Sequence, residues 1–196
     1  MARTFKVVVV GDACVGKTCL LYRLRFGSMP RGRYLNTIGC EFFTHTVGEA
    51  ALCVWDTAGH DSFRDFTPSF LRGAHVCIVC VDLSQPAPAS RIDSWVDEAS
   101  RVPGISIALA GTKADLPNSI SPPQLQGLAA RHSAVLCRRT SALTGEGVAG
   151  LFDDVAAHLS STHPPRSPPR AAASPRAAAA QPAPPSRGGY CACGCC

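Results

Sequence analysis

The chain has little of what marks several common protein classes. None of its apolar runs approaches the ~20 residues needed to cross a bilayer as a helix, and MARTFKVVVVGD at the N-terminus has no signal-peptide architecture, so an intracellular protein is expected. Acidic residues are absent from 161–196, where four of the 19 Lys and Arg lie; residues 1–160 are left with 15 basic residues against 14 acidic ones. The net charge of +5 therefore belongs to the tail, and no nucleic-acid partner is expected. The eleven cysteines show no repeated spacing, which argues against a disulfide framework. Seven fall in the first 140 residues, mostly in apolar strings such as VCIVCV, and are expected to act as small buried hydrophobes in a reducing compartment. No second globular domain is expected either: of 196 residues only about 160 have the composition of a folded core.

What is present alternates. Phe5–Val10, LCVW (52–55), VCIVCVD (76–82), ISIALAG (105–111) and SAVLCR (133–138) read as strands. Helical stretches are expected over 17–25, 64–72, 90–101, 122–131 and 147–159. This order predicts βαβ units: an α/β fold with a mostly parallel six-stranded sheet and helices on both faces. EFFTHTVGEAALCVW breaks the alternation as a hairpin around Gly48 and Glu49, adding one antiparallel edge strand. Beyond Ser160 the texture changes again. Eight prolines in 161–190 predict a disordered Pro/Ala-rich linker, followed by the cysteine-rich end CACGCC at 191–196.

Four motifs carry chemistry. GDACVGKT (Gly11, Asp12, Ala13, Cys14, Val15, Gly16, Lys17, Thr18) fits G-x-x-x-x-G-K-[ST] between the first strand and the first helix, with Cys19 following it. Such a turn wraps phosphates in backbone N–H groups, Lys17 reaches the β/γ oxygens, and Thr18 offers a hydroxyl to Mg²⁺. WDTAG places Asp56 at a strand end as a metal partner and Gly59 where its N–H can turn toward a γ-phosphate. TKAD contributes Thr112, Lys113 and Asp115; the carboxylate can take both N–H groups of a guanine edge, which adenine cannot offer. TSAL contributes Ser141, Ala142 and Leu143, with the Ala142 N–H a candidate partner for guanine O6. Any one of these can be an ordinary turn. A P-loop kinase or ATPase would leave TKAD and TSA without a role.

Taken in order, GDACVGKT, Thr37-Ile38-Gly39, WDTAG, TKAD and TSA resemble the Ras superfamily of small GTPases over about residues 5–159, the P-loop NTPase G domain. TIGCEF (37–42), DSFRDFTPSFLRGAH (61–75) and the paired terminal cysteines most resemble the Rab family. The resemblance implies a G domain over 1–160 that binds GTP or GDP with Mg²⁺ held by Thr18, Thr37 and Asp56. It implies hydrolysis of GTP with Lys17, Thr37, Gly59 and residue 60 at the γ-phosphate, and a switch in vesicle traffic. Expected partners are a guanine nucleotide exchange factor, a GTPase-activating protein, effectors that read Phe42, Trp55 and Phe70, and prenylation escort and GDP-dissociation inhibitor proteins. Geranylgeranyl groups on Cys195 and Cys196 would hold the protein on the cytoplasmic face of an endomembrane or the plasma membrane, with a cytosolic pool. Whether Cys191 and Cys193 are also acylated stays open.

The chain also departs from the family pattern. His60 stands where relatives carry a water-orienting glutamine, so slow intrinsic hydrolysis is expected, or, as the alternative, a GTP-binding membrane adaptor with negligible turnover. Thr112 replaces the usual asparagine and is expected to lack its reach toward the phosphate loop and the base. Leu143 replaces a lysine, Met29 falls where an aromatic commonly covers the base, and the hairpin between Phe42 and Trp55 is about four residues short.

Overall fold

The computed structural model describes residues 3–29, 37, 39–60, 65–86 and 89–164. Ile38, residues 61–64, the linker beyond 164 and Cys191, Cys193, Cys195 and Cys196 lie outside the described residues. The elements follow one another as β1 (Arg3–Val10), α1 (Lys17–Phe26), β2 (Cys40–Val47), β3 (Ala50–Thr57), α2 (Thr67–Leu71), β4 (Val76–Asp82), α3 (Ala89–Ser100), β5 (Ser106–Thr112), α4 (Pro122–Arg131), β6 (Leu136–Arg139) and α5 (Val148–Thr162). The sheet order is β2-β3-β1-β4-β5-β6, with β2 antiparallel to β3 and every other pairing parallel. The expected α/β architecture is thus observed, including its one antiparallel edge strand.

The period-2 geometry of a strand explains why the central strands are apolar on both sides. Val7 and Val9 enter one core with Leu20 and Leu21 of α1 and Leu151, Phe152 and Val155 of α5. Val8 and Val10 enter the other, with Leu71 of α2, Ile92, Trp95 and Val96 of α3 and Leu125 of α4. β4 divides the same way: Ile78 and Cys80 face the first layer, Cys77 and Val79 the second. Two helix layers on one sheet follow directly.

Local signals set the boundaries. Ser121 and Gln124 close a capping box with Pro122 in the first turn, starting α4 at Pro122. Gly48 takes φ 56° in the two-residue turn that joins Val47 to Ala50, as a tight hairpin requires. The sixth strand is shorter than expected. Only Leu136–Arg139 is strand, because β6 lies at the sheet edge and pairs on one side alone. The cysteines also differ from expectation: Cys77 and Cys80 are buried, and burial pushes the Cys80 thiol up to about 12, but Cys14 is exposed and four others are intermediate.

The far end of the sheet gives a pH prediction. The Lys6 backbone N–H donates to His75 Nδ1 at 3.0 Å, and burial together with His163 lowers the His75 pKa below its ordinary 6.5. A base with a depressed folded pKa contributes stability that is complete above 6.5 and lost as pH falls through the folded value. The thermal stability of the wild type should therefore fall on acidification below 6.5, and His75→Gln should flatten that slope. An unchanged slope would show that His75 is not the titrating group.

Candidate nucleotide site

β1 sits where the chain turns first to β2 and β3 on one side and then to β4, β5 and β6 on the other, the switch point at which open α/β sheets bind ligands. The loop after it, Gly11 to Gly16, has little freedom. Gly11 and Gly16 take φ 139° and 98°, and Cys14 takes φ 61°, a left-handed conformation unusual for a side chain bearing a Cβ. Lys17 opens α1, is 6% exposed, and donates from Nζ to the Gly11 and Asp12 carbonyls, each at 2.8 Å. Burial lowers its pKa, a cost that an anion in the loop would offset. Gly59 closes the other wall. A Cβ there would lie 2.2 Å from Lys17 Nζ and 2.5 Å from the Asp12 carbonyl oxygen, so only glycine fits.

The Asp12 carboxylate turns away from the loop's concave side. Oδ2 accepts from Arg91 Nε at 2.6 Å and Oδ1 from Trp95 Nε1 at 2.8 Å, fastening the loop to α3. Sequence reading missed both partners, since nothing in the spacing of Arg91 and Trp95 points to residue 12.

A cavity of about 320 Å³ opens on this loop, lined by Ala13, Cys14, Lys17, Thr18, Thr37, Gly59 and His60 among others. The Thr18 and Thr37 hydroxyl oxygens are 2.8 Å apart. Asp56 is 5% exposed and its buried Oδ1 has no hydrogen-bond partner among the described residues. Burial raises its pKa to about 6, partly offset by the Thr18 hydroxyl and by Lys17. Two hydroxyls beside a buried carboxylate with an unsatisfied oxygen form a hard-oxygen donor set of the kind Mg²⁺ takes. The residues present fit that ion.

A second cavity of about 280 Å³ shares Gly16, Cys19 and Lys113 with the first and adjoins it. Its walls are Leu20, Met29 and Leu116, and Asp115, Ala142 and Leu143 complete it. Met29 thus lies against the same chamber as Asp115 and Ala142. Ser141 Oγ donates to Asp115 Oδ1 at 2.5 Å and fixes the carboxylate. Lys113 takes φ 58° and pairs with Asp82 at 2.7 Å; burial pushes the Asp82 carboxyl up, but hydrogen bonds from Lys113 and Ser84 outweigh it and hold the pKa below the ordinary value.

Thr112 corrects an expectation. Its hydroxyl reaches the phosphate loop, donating to the Val15 carbonyl at 2.5 Å with the Val81 carbonyl 3.1 Å away. The shorter side chain suffices because β5 brings Thr112, 3% exposed, directly beneath the loop.

The three aromatics named for partner recognition come together. Phe42 and Trp55 are cross-strand partners whose rings stack with centroids 5.2 Å apart, and Phe70 lies 6.3 Å beyond Trp55. Phe42 is 64% exposed, whereas Trp55 and Phe70 pack half-buried on the core. Lys6 Nζ sits 4.6 Å from the Trp55 ring centroid, a cation–π contact at the margin of the patch.

A phosphate-type loop after β1, a carboxylate after β5 and a glycine-walled strand end after β3 define a G-domain architecture. The chain matches the Ras family over residues 6–161 and belongs to it, as a Rab-like small GTPase. Among its relatives is the Ras-related protein Rab-26 of Bos taurus, 32% identical over 167 residues. That match covers 81% of this chain and 65% of the relative, so the chain spans somewhat under two thirds of the relative's length.

Proposed function

We propose that this protein is a guanine-nucleotide switch of the Rab type. It binds GDP and GTP with Mg²⁺ and hydrolyses GTP to GDP and phosphate slowly unless a GTPase-activating protein assists. The observation that carries this reading is the pair of adjoining cavities, one lined by buried Lys17 and the other by the Ser141-held Asp115.

The roles follow from the donors. Lys17, Thr18 and the backbone of Gly11 to Cys19 hold the β/γ-phosphates. Asp115 accepts the N–H groups of guanine, the Ala142 N–H meets its O6, and Thr112 with Lys113, Ser141 and Leu143 frames the base. Thr18, Thr37 and Asp56 would hold Mg²⁺, which neutralises charge on the phosphate oxygens when bound. Thr37 and Gly59 place the attacking water. His60, exposed on the rim of the phosphate cavity, stands in for a glutamine whose amide would both donate and accept.

Around this site the reading adds an exchange factor, effectors docking on Phe42, Trp55 and Phe70, escort and GDP-dissociation inhibitor proteins, and membrane attachment through geranylgeranylated Cys195 and Cys196. The place of action is the cytoplasmic face of an endomembrane or the plasma membrane, in vesicle traffic. No helix among the described residues is long and apolar enough to cross a membrane.

Single-turnover hydrolysis of preloaded GTP by the full chain tests the reading. Slow release of phosphate is expected, with His60→Gln faster by about tenfold or more, a lower bound set beneath the ~10²–10⁴-fold that a well-placed acid–base group supplies. Equal rates would show that histidine is tolerated and that an ordinary cycle operates; no hydrolysis by either protein would favour the alternative, a GTP-loaded adaptor on the membrane.

A further inference from the structure

We propose that Arg23 is a positioning residue for guanine recognition: it holds the Ser141–Leu143 loop so that the Ala142 N–H faces O6 of the base. This rests on the guanine-nucleotide reading above. Arg23 lies in the last turn of α1, outside every motif. Its guanidinium donates from Nε to the Ala142 carbonyl at 2.5 Å, from a terminal nitrogen to the Leu143 carbonyl, and from the other terminal nitrogen to the Gly27 carbonyl at 2.6 Å. The Gly27 N–H returns a bond to the Arg23 carbonyl at 2.9 Å, so the end of α1 is itself fixed. One planar fork, whose donors keep a fixed geometry, therefore ties two consecutive loop carbonyls to a capped helix.

Peptide planarity turns these bonds into an orientation. A trans peptide sends its N–H opposite to its C=O. The Ser141 carbonyl accepts the Gly145 N–H at 2.8 Å, so the Ala142 N–H points the other way. Arg23 fixes the next peptide through the Ala142 carbonyl, leaving little freedom to swing the Ala142 N–H out of line. Ala142 lines the chamber that Asp115 also lines. Asp115 and Arg23 then divide the work: the carboxylate reads the N–H edge of guanine and the arginine presents the donor to O6.

The test compares GDP with 6-thio-GDP, which keeps the N–H edge but replaces O6 with a weaker acceptor, each in competition with a fluorescent GDP on the full chain. The wild type should prefer GDP severalfold. Arg23→Ala should bind GDP about tenfold more weakly, roughly one well-placed hydrogen bond, and its preference over 6-thio-GDP should collapse to within about twofold. Arg23→Lys, which keeps charge without the fork, should fall between. Arg25→Ala, the same charge change two residues away on a side chain packed on Phe26, should behave as wild type. A merely structural role would lower both affinities together and leave the preference intact, which would overturn the proposal, as would unchanged GDP binding by Arg23→Ala. Should Arg23→Ala fail to fold, judged by a thermal scan, the Arg23→Lys preference decides. Failure of the wild type to bind GDP at all would instead sink the guanine-nucleotide reading on which the proposal stands.

Discussion

Asp115→Ala is expected to weaken GDP binding by at least about a hundredfold, since two hydrogen bonds to a charged acceptor contribute ~1.5–3 kcal/mol each. The carboxylate enters the cleft preorganised, because Ser141 Oγ holds one oxygen at 2.5 Å, so little ordering remains to be done when a base arrives. Asp115 is itself exposed, and its replacement should cost only about 1–3 kcal/mol of stability without ligand, from the buried Ser141 hydroxyl left without its acceptor. Titration with fluorescent GDP at fixed Mg²⁺, beside a thermal scan without nucleotide, separates the two effects. A loss of affinity under threefold would remove Asp115 from base recognition.

Lys17→Ala should have an effect at least as large, again about a hundredfold or more in affinity for GDP and GTP, because a buried phosphate left without its cation loses ~2–5 kcal/mol. Only 6% of Lys17 is exposed, and its ammonium is held by the Gly11 and Asp12 carbonyls with Gly59 across the cleft. Burial disfavours that charge in the absence of ligand, so alanine should preserve or raise stability without nucleotide while destroying binding. This opposition of sign is the useful readout. Parallel losses of stability and binding would mean that Lys17 is mainly a structural tie between β1 and α1.

Legibility in the sequence followed the kind of interaction involved. The central strands were readable because burial on both sides leaves only apolar residues in Val7–Val10 and Val76–Val81, and α4 because Ser121, Pro122 and Gln124 form a local start signal. The edge strand β6 was read too long, since half-exposed residues leave no pattern to mark its start. In the site, the phosphate loop, Asp56 and Asp115 stood out because each belongs to a short motif with fixed spacing. What stayed hidden depends on contacts between residues far apart in the chain. The Thr112 hydroxyl meets Val15 across 97 residues, Asp12 meets Arg91 and Trp95 across 79 and 83, and Arg23 meets Ala142 across 119. Each pairing is set by sheet order, which brings the ends of β1, β4, β5 and β6 and the segments after them to one rim. The expectation that Thr112 is too short to reach the phosphate loop failed for that reason: reach depends on where the backbone lies, and β5 lies close.

Competition between GDP and ADP for the 196-residue chain in the presence of Mg²⁺ tests the central claim most directly. Asp115 can accept from guanine and has nothing to accept from the corresponding edge of adenine, so GDP should bind at least about a thousandfold more tightly, a lower bound beneath the ~10⁴–10⁵ that a site built for hydrogen bonding achieves against a ligand that leaves its polar groups unpaired. Comparable affinities, or a preference for ADP, would contradict a guanine-nucleotide switch and leave a P-loop protein of another kind.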